Sequence, residues 1–272
     1  MPRVARPSLA SLYIEMKVRG NKLSSGTGFL VSHQGRTFLV TNRHNLSGRR
    51  ADTNEILSKA TGACPDSVTI YHNQAGKLGS WIPKDEPVID AEEAPLWLEH
   101  RTFGRKVDVA ALPLTDTFGV ETTKYQYDLF HTGNQIALRI AGEASVVGFP
   151  YGRSGWGKLG IWVRGNVATE PEINFEELPC FLIDSRTRTG QSGSPVIVYR
   201  NGGEMVALED GGMGAFDGPV QRLFGIYSGR INKESDLGYV WKVSAIQDVV
   251  VRGVRNPVGP VEEPQQESSV DL

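Results

Sequence analysis

The sequence predicts an all-β protein, built as closed barrels or as a sandwich. Three observations predict it. Short runs of strand character recur along most of the chain, and they are separated by turn formers, with 31 Gly and 15 Pro among 272 residues. Only one segment, near the C-terminus, has convincing helical spacing. Many short strands joined by tight turns must close on themselves, or on a second sheet, to bury their apolar faces.

The elements follow in order. Gly28–Val31 and Thr37–Val40 flank the turn Ser32–Arg36 and read as a hairpin. Leu46–Asp66 is irregular, with a short helix expected over Asn54–Ala60. Ser67–Tyr71 alternates polar and apolar, as a half-buried strand does. Val107–Leu112 is a further short strand, with Asp108 inside it. A polar stretch, Tyr125–Asn134, reads as the link between two halves. Strands are then expected at Ala144–Phe149, Gly160–Val167, Cys180–Ile183, Pro195–Tyr199, Leu223–Ser228 and Gly238–Val243. Ser244 is a helix N-cap, followed at helical spacing by Ala245, Ile246, Val249 and Val250. From Asn256 the chain is Pro-rich and acidic, the composition of a disordered tail.

Lys+Arg total 29 and Asp+Glu 31, a formal net charge of −2 at pH 7. That balance argues against a general nucleic-acid or anionic-membrane surface. No stretch approaches the length of apolar chain that crosses a bilayer, about 20 residues. The start has no apolar run of signal-peptide length. Cys64 and Cys180 are the only cysteines, so no disulfide framework exists, and two buried thiols are expected. The expectation is a soluble cytoplasmic protein. Neither HExxH nor a paired CxxC occurs, so no metal or cofactor is expected.

Three motifs carry chemistry: Thr41-Asn42-Arg43-His44-Asn45 directly after a strand, Val107–Leu114, and Thr189–Val196 directly before a strand. Ser192 sits in Gly190-Gln191-Ser192-Gly193-Ser194-Pro195. A serine hydroxyl is a poor nucleophile without a base to take its proton. It also needs donors aimed at the oxygen that becomes negative during attack. Glycine two residues before it lets the backbone turn its own N–H and that of the serine into one small hole. His44, at a strand end among polar neighbours, fits an exposed base. Asp108, in an apolar strand, is costly unless paired, for instance with an imidazole N–H. Taken singly, these are also an ordinary turn, a surface histidine and an edge carboxylate; together they are specific.

Together they resemble the trypsin-like (chymotrypsin-fold) serine peptidases, of the bacterial kind without disulfides. The likeness runs over residues 20–252 and includes the chain order His, Asp, Ser. GTGFLV…FLVTNRHN is similar to the segment delivering the family's histidine, VDVAALPL to its aspartate strand, and GQSGSPV to its nucleophile loop in the form seen in glutamyl endopeptidases. SVVGFPYG, FGIYSG and LGYVWKVSAI resemble second-barrel segments and the strand leading into the C-terminal helix. The resemblance implies two six-stranded antiparallel β-barrels with a C-terminal helix and the site in the cleft between them. It implies residues 1–19 as an N-terminal extension, 20–130 as the first barrel, 131–243 as the second, 244–253 as the helix and 254–272 as the tail. It implies His44 as general base and acid, Asp108 as its partner, Ser192 as nucleophile, and the N–H groups of Gly190 and Ser192 as the oxyanion hole. The reaction implied is endopeptidase hydrolysis through an acyl-enzyme, with protein or peptide as substrate. The rival is a catalytically silent scaffold of the same fold that binds peptides or protein partners. An α/β-hydrolase fits poorly, because its order is Ser, Asp, His.

Some positions depart from the pattern. Asn45 stands where many secreted members have cysteine. Gln191 stands where digestive members carry the aspartate that pairs with a freshly cut N-terminus, so that activation has no physical basis here. Ser194 replaces the commoner glycine. Tyr227 occupies the place of the histidine with which glutamyl enzymes bind acidic side chains. Arg186 matches the position that sets charge preference in digestive members; pairing with Asp184 and a solvent-facing side chain remain open. The resemblance also places Thr187, Ser228, Gly229 and Arg230 around the substrate.

Overall fold

The computed structural model describes residues 4–131, 136–232 and 234–256. Helix α1 (Arg6–Ala10) is followed by strands β1 (Leu12–Val18), β2 (Asn21–His33) and β3 (Arg36–Thr41), then helix α2 (Arg43–Ser47). Strands β4 (Ser67–Asn73), β5 (Trp81–Pro87), β6 (Leu98–Glu99) and β7 (Ala110–Pro113) complete the first lobe. The second lobe holds β8 (Glu143–Gly148), β9 (Ile161–Val167), β10 (Cys180–Ser185), β11 (Pro195–Arg200), β12 (Met205–Ala207), β13 (Met213–Ala215), β14 (Val220–Arg230) and β15 (Leu237–Lys242). Helix α3 (Val243–Arg252) ends the described fold.

The second lobe is a closed barrel in the order β10-β15-β14-β11-β8-β9, with β12 and β13 as a separate two-stranded sheet. The first lobe departs from the expected six-stranded barrel. It is a seven-stranded sheet in the order β5-β4-β1-β2-β3-β7-β6. Its two ends explain why no ladder closes it. Strand β5 carries Pro83 and Pro87, which lack the N–H a further partner needs, and β6 is two residues long. Strand β1 lies third in that sheet, paired with β2 and β4, although residues 1–19 were expected to be an extension. Its alternation is legible once seen: Leu12, Ile14 and Met16 point into the first-lobe core.

The apolar runs of the hairpin serve two cores at once. Phe29, Val31, Phe38 and Val40 face a core shared by both lobes, and Leu30 and Leu39 face the first-lobe core. In β11, Ile197 joins the shared core while Val196 and Val198 fill the barrel. Strands buried on both faces read as continuous hydrophobic runs rather than alternations. Helix α3 seals the shared core with Ala245, Ile246, Val249 and Val250, the four residues its spacing singled out. Burying an Ile or Val side chain contributes about 1.5–3 kcal/mol.

Other expectations shift. Helix α3 starts at Val243, with Lys242 rather than Ser244 at the N-cap position. No helix forms over Asn54–Ala60; Asn54 has φ 60°, which interrupts a right-handed helix, and the segment is held by a bridge between Arg49 and Ile56. Within the expected link, Tyr127 is buried and bridges Val31, while residues 132–135 lie outside the described residues. Of the expected tail, Val254 bridges Glu99, and residues 257–272 lie outside the described residues. Both cysteines are free; Cys180 is buried and burial pushes its thiol up to about 12, whereas Cys64 is half-buried.

His72 in β4 is fully buried, and neither ring nitrogen has a hydrogen-bond partner among the described residues. Burial, aided by the Lys84 ammonium, lowers its pKa to about 4. The unfolded chain takes up this proton near pH 6.5 while the folded chain resists, so stability falls as pH drops from 6.5 towards 4. The loss from this site is about 3 kcal/mol. His72→Phe should be less acid-sensitive than wild type in urea midpoints taken at pH 7 and pH 4.5. Equal sensitivity of the two proteins would remove His72 as the cause.

Candidate active site

Three segments meet at the mouth between the lobes. The first is α2, which starts directly after β3 from an extended Asn42, so that His44 lies in its first turn. The second is the approach to β7. Asp108 lies two residues before that strand rather than within it. Its carboxylate is buried, 3% exposed. Oδ1 accepts the His44 backbone N–H at 2.9 Å, and Oδ2 accepts His44 Nδ1–H at 2.6 Å and the Ser228 hydroxyl at 2.5 Å. Donors to a charged acceptor are the strong kind, and they offset the cost of burying this carboxylate. Asn42 Nδ2 donates to the Asp108 carbonyl at 2.7 Å, which ties the two segments together. A carboxylate only accepts, so the imidazole proton sits on Nδ1 and the lone pair on Nε2.

A buried ion pair anchors α2 from beneath. Arg43 Nε donates to Glu99 Oε2 at 2.9 Å, and both side chains are buried. Burial pushes the Glu99 carboxyl above the usual carboxylate range, against the pull of Arg43.

The third segment is the loop between β10 and β11 that carries Ser192. Thr27 of β2 straps it down: its N–H donates to Ser192 O at 3.0 Å and its hydroxyl to Gly190 O at 2.9 Å. Asn45 Nδ2 also reaches Ser192 O, at 3.2 Å. Gly193 N–H donates to Tyr227 O at 2.9 Å, and Arg188 N–H to Gln191 Oε1 at 2.8 Å. Gly193 has φ +89°, and a Cβ there would lie 1.9 Å from Thr27 O, so no other residue fits. Tyr151 N–H donates to Thr189 O at 2.6 Å. In a trans peptide the C=O and N–H point opposite ways, so this bond turns the Gly190 N–H away from Tyr151. The N–H groups of Gly190 and Ser192 donate to no other described residue. The Ser192 hydroxyl lies 3.4 Å from Ser228 O rather than on His44. His44, Gly190 and Ser192 line one cavity of about 350 Å³.

The residues expected around the substrate divide. Ser228 grips Asp108 instead. Thr187 and Tyr227 are buried, 1% and 2% exposed, and their hydroxyls bond each other; burial raises the Tyr227 phenol above its usual value. Arg186 is exposed and approaches Asp236 at 3.8 Å, not Asp184. Arg230 approaches the same Asp236 at 3.9 Å, and Gly229 is half-buried with φ +141°. Sequence reasoning missed Thr27 and the cavity walls Leu23, Leu57, Ala63 and Pro65. Thr27 lies inside the quoted GTGFLV motif; the cavity walls come mostly from an irregular loop with no local signal.

A β-lobe and a β-barrel flanking a carboxylate-held histidine, with a serine on a glycine turn, define a chymotrypsin-type protein. The chain belongs to the trypsin-like peptidase domain family, which matches residues 26–208. Two solved structures are similar. The active form of the Rv3671c protease from M. tuberculosis is 17% identical, with a TM-score of 0.51 over 93% of this chain and 85% of that one. The serine endoprotease from Yersinia pestis is 14% identical, with a TM-score of 0.50 over 90% of this chain and 62% of that one. At such identities the likeness is one of fold. A comparison with curated proteins finds no match.

Proposed function

We propose that the protein is a serine endopeptidase working through an acyl-enzyme, with His44, Asp108 and Ser192 as its triad. The observation that carries this is a His44 bound to Asp108 at 2.6 Å and lining one cavity with a serine whose own N–H and that of Gly190 lack partners among the described residues. Ser192 Oγ swings from the Ser228 carbonyl onto His44 Nε2, which takes its proton as Oγ attacks the peptide carbonyl. The resulting oxyanion rests on the Gly190 and Ser192 amides. Asp108 stabilises the imidazolium, which then protonates the leaving amine. Water repeats the cycle on the ester. A long serine–histidine separation without substrate is common, because such bonds tighten in the complex. A fluorophosphonate probe tests the reading: it should label wild type on Ser192 and leave Ser192→Ala unlabelled, and equal labelling would refute the proposal.

The hole makes a second, separable prediction. Gly190 has φ +94°, and a Cβ there would sit 2.4 Å from the Phe149 carbonyl oxygen. Gly190→Ala must therefore shift the Thr189–Gly190 peptide and lose one oxyanion donor. Turnover of a chromogenic ester should fall roughly 10²–10³-fold. Unchanged turnover in a variant with a native-like melting curve would mean the hole lies elsewhere.

A further inference from the structure

The two sides of Ser192 are built differently, and the difference bears on which peptide is cut. This inference rests on the hydrolase reading above. The leaving nitrogen must take its proton from His44 Nε2. The chain that follows the cut therefore runs over α2, and the chain that precedes it lies towards β14. On the α2 side is the cavity of about 350 Å³. Its apolar walls are Leu23, Leu57, Ala63 and Pro65, and His44 is the only ionisable side chain lining it among the described residues.

Those walls are tied to the helix that carries His44. Gly48 caps α2 with φ +66°, its N–H donating to His44 O at 3.0 Å. Leu57 N–H then donates to Gly48 O at 2.8 Å. A Cβ on Gly48 would meet Pro65 Cδ at 2.7 Å, so only glycine lets this loop come so close. The cavity thus keeps a fixed position relative to the imidazole.

The β14 side is filled. The Tyr227 ring belongs to the barrel core, and its hydroxyl is bonded to Thr187. A Cβ on Gly238 of β15 would lie 2.5 Å from the ring, so no space remains there. Large side chains preceding the cut find no room behind β14.

We propose that the cleft selects its substrate on the leaving-group side, the Leu23–Leu57–Ala63–Pro65 cavity receiving an uncharged apolar side chain from the residue that follows the cut. The rest of the lining is neutral, with the hydroxyls of Ser24, Ser25, Ser58 and Thr189 and the amide of Asn45, so an acid or base there would lose water without meeting an opposite charge.

The test is a peptide library with all residues mixed before the cut and Leu, Phe, Asp or Lys after it, read as relative kcat/KM. Wild type should favour Leu and Phe over Asp and Lys by roughly tenfold or more, the scale of discrimination an apolar pocket supplies. Leu57 is 48% exposed, so Leu57→Lys is compatible with the fold; its ammonium should move the Leu-to-Asp ratio towards Asp by about fivefold. Because the readout is a ratio, an overall loss of activity does not affect it. Equal rates for all four residues, or an unchanged ratio in Leu57→Lys, overturns the proposal alone. So does a protein that takes the fluorophosphonate on Ser192 yet cuts none of the peptides. A wild type that neither cuts nor labels overturns the hydrolase reading beneath it.

Discussion

Ser192→Ala should lower peptide hydrolysis about 10⁶-fold while leaving the fold intact. The size of the loss follows from the division of labour in the cleft. Without the hydroxyl no acyl-enzyme forms, and His44 and Asp108 have no proton to collect. What survives is positioning and the amides of Gly190 and Ser192, worth about 10³–10⁴ over water where serine triads have been dismantled. Stability should hardly move. The loop is fixed through backbone atoms: Ser192 O accepts from Thr27 N–H and Asn45 Nδ2, and neither bond involves the side chain. The hydroxyl itself makes one long contact, 3.4 Å to Ser228 O. The melting temperature of the variant should therefore match wild type within a shift worth about 0.5 kcal/mol. A variant that keeps even one per cent of wild-type turnover on a peptide substrate would falsify Ser192 as nucleophile.

Asp108→Asn should cost about 10⁴-fold in kcat, the scale of loss when the carboxylate of a serine triad becomes an amide. The geometry says why. Both carboxylate oxygens of Asp108 accept, Oδ1 from the His44 backbone and Oδ2 from the imidazole and Ser228. An asparagine has one accepting oxygen and one donating NH₂. If the oxygen keeps the backbone N–H, the NH₂ faces Nδ1. The imidazole proton then moves to Nε2, which can no longer take a proton from Ser192. If the amide flips, its NH₂ meets the backbone N–H, donor against donor. Either way the base is lost. Ser228→Ala is the control, since it removes one donor and leaves the tautomer in place. Its effect should be roughly tenfold to a hundredfold, the worth of one hydrogen bond to a charged group and well short of the loss expected for Asp108→Asn. Equal losses in the two variants would show that Asp108 serves only to hold the segment together.

Much of this was legible in the chain. The runs GFLV and TFLV announced a buried hairpin because both faces of β2 and β3 are covered, so Phe29–Val31 and Phe38–Val40 are apolar throughout. The last helix was readable because Ala245, Ile246, Val249 and Val250 line one face at the helical repeat. His44, Asp108 and Ser192 stood out because each sits in a local context costly without a partner, and the structure lines one cavity with the histidine and serine while binding the carboxylate to the histidine. Strand β1 was read as extension because the family likeness begins at residue 20, although Leu12, Ile14 and Met16 alternate with the polar Glu15 and Lys17. The first lobe was expected to close as a six-stranded barrel but is an open seven-stranded sheet, because closure depends on which edges meet, and Pro83 and Pro87 leave the β5 edge without two of its donors.

Local chemistry was enough to indicate the β class, the family and three candidate reacting side chains, since motifs and periodicity act over a few residues. The contacts around those side chains came only with the tertiary structure. Ser228 turned out to hold Asp108, Tyr227 to bond Thr187, and Arg186 to face Asp236. The open cavity beside His44 belongs in the same class, built from β2, α2 and the irregular loop after it. Such contacts join segments far apart in the chain, and the angle at which a strand leaves its sheet decides which side chain faces which.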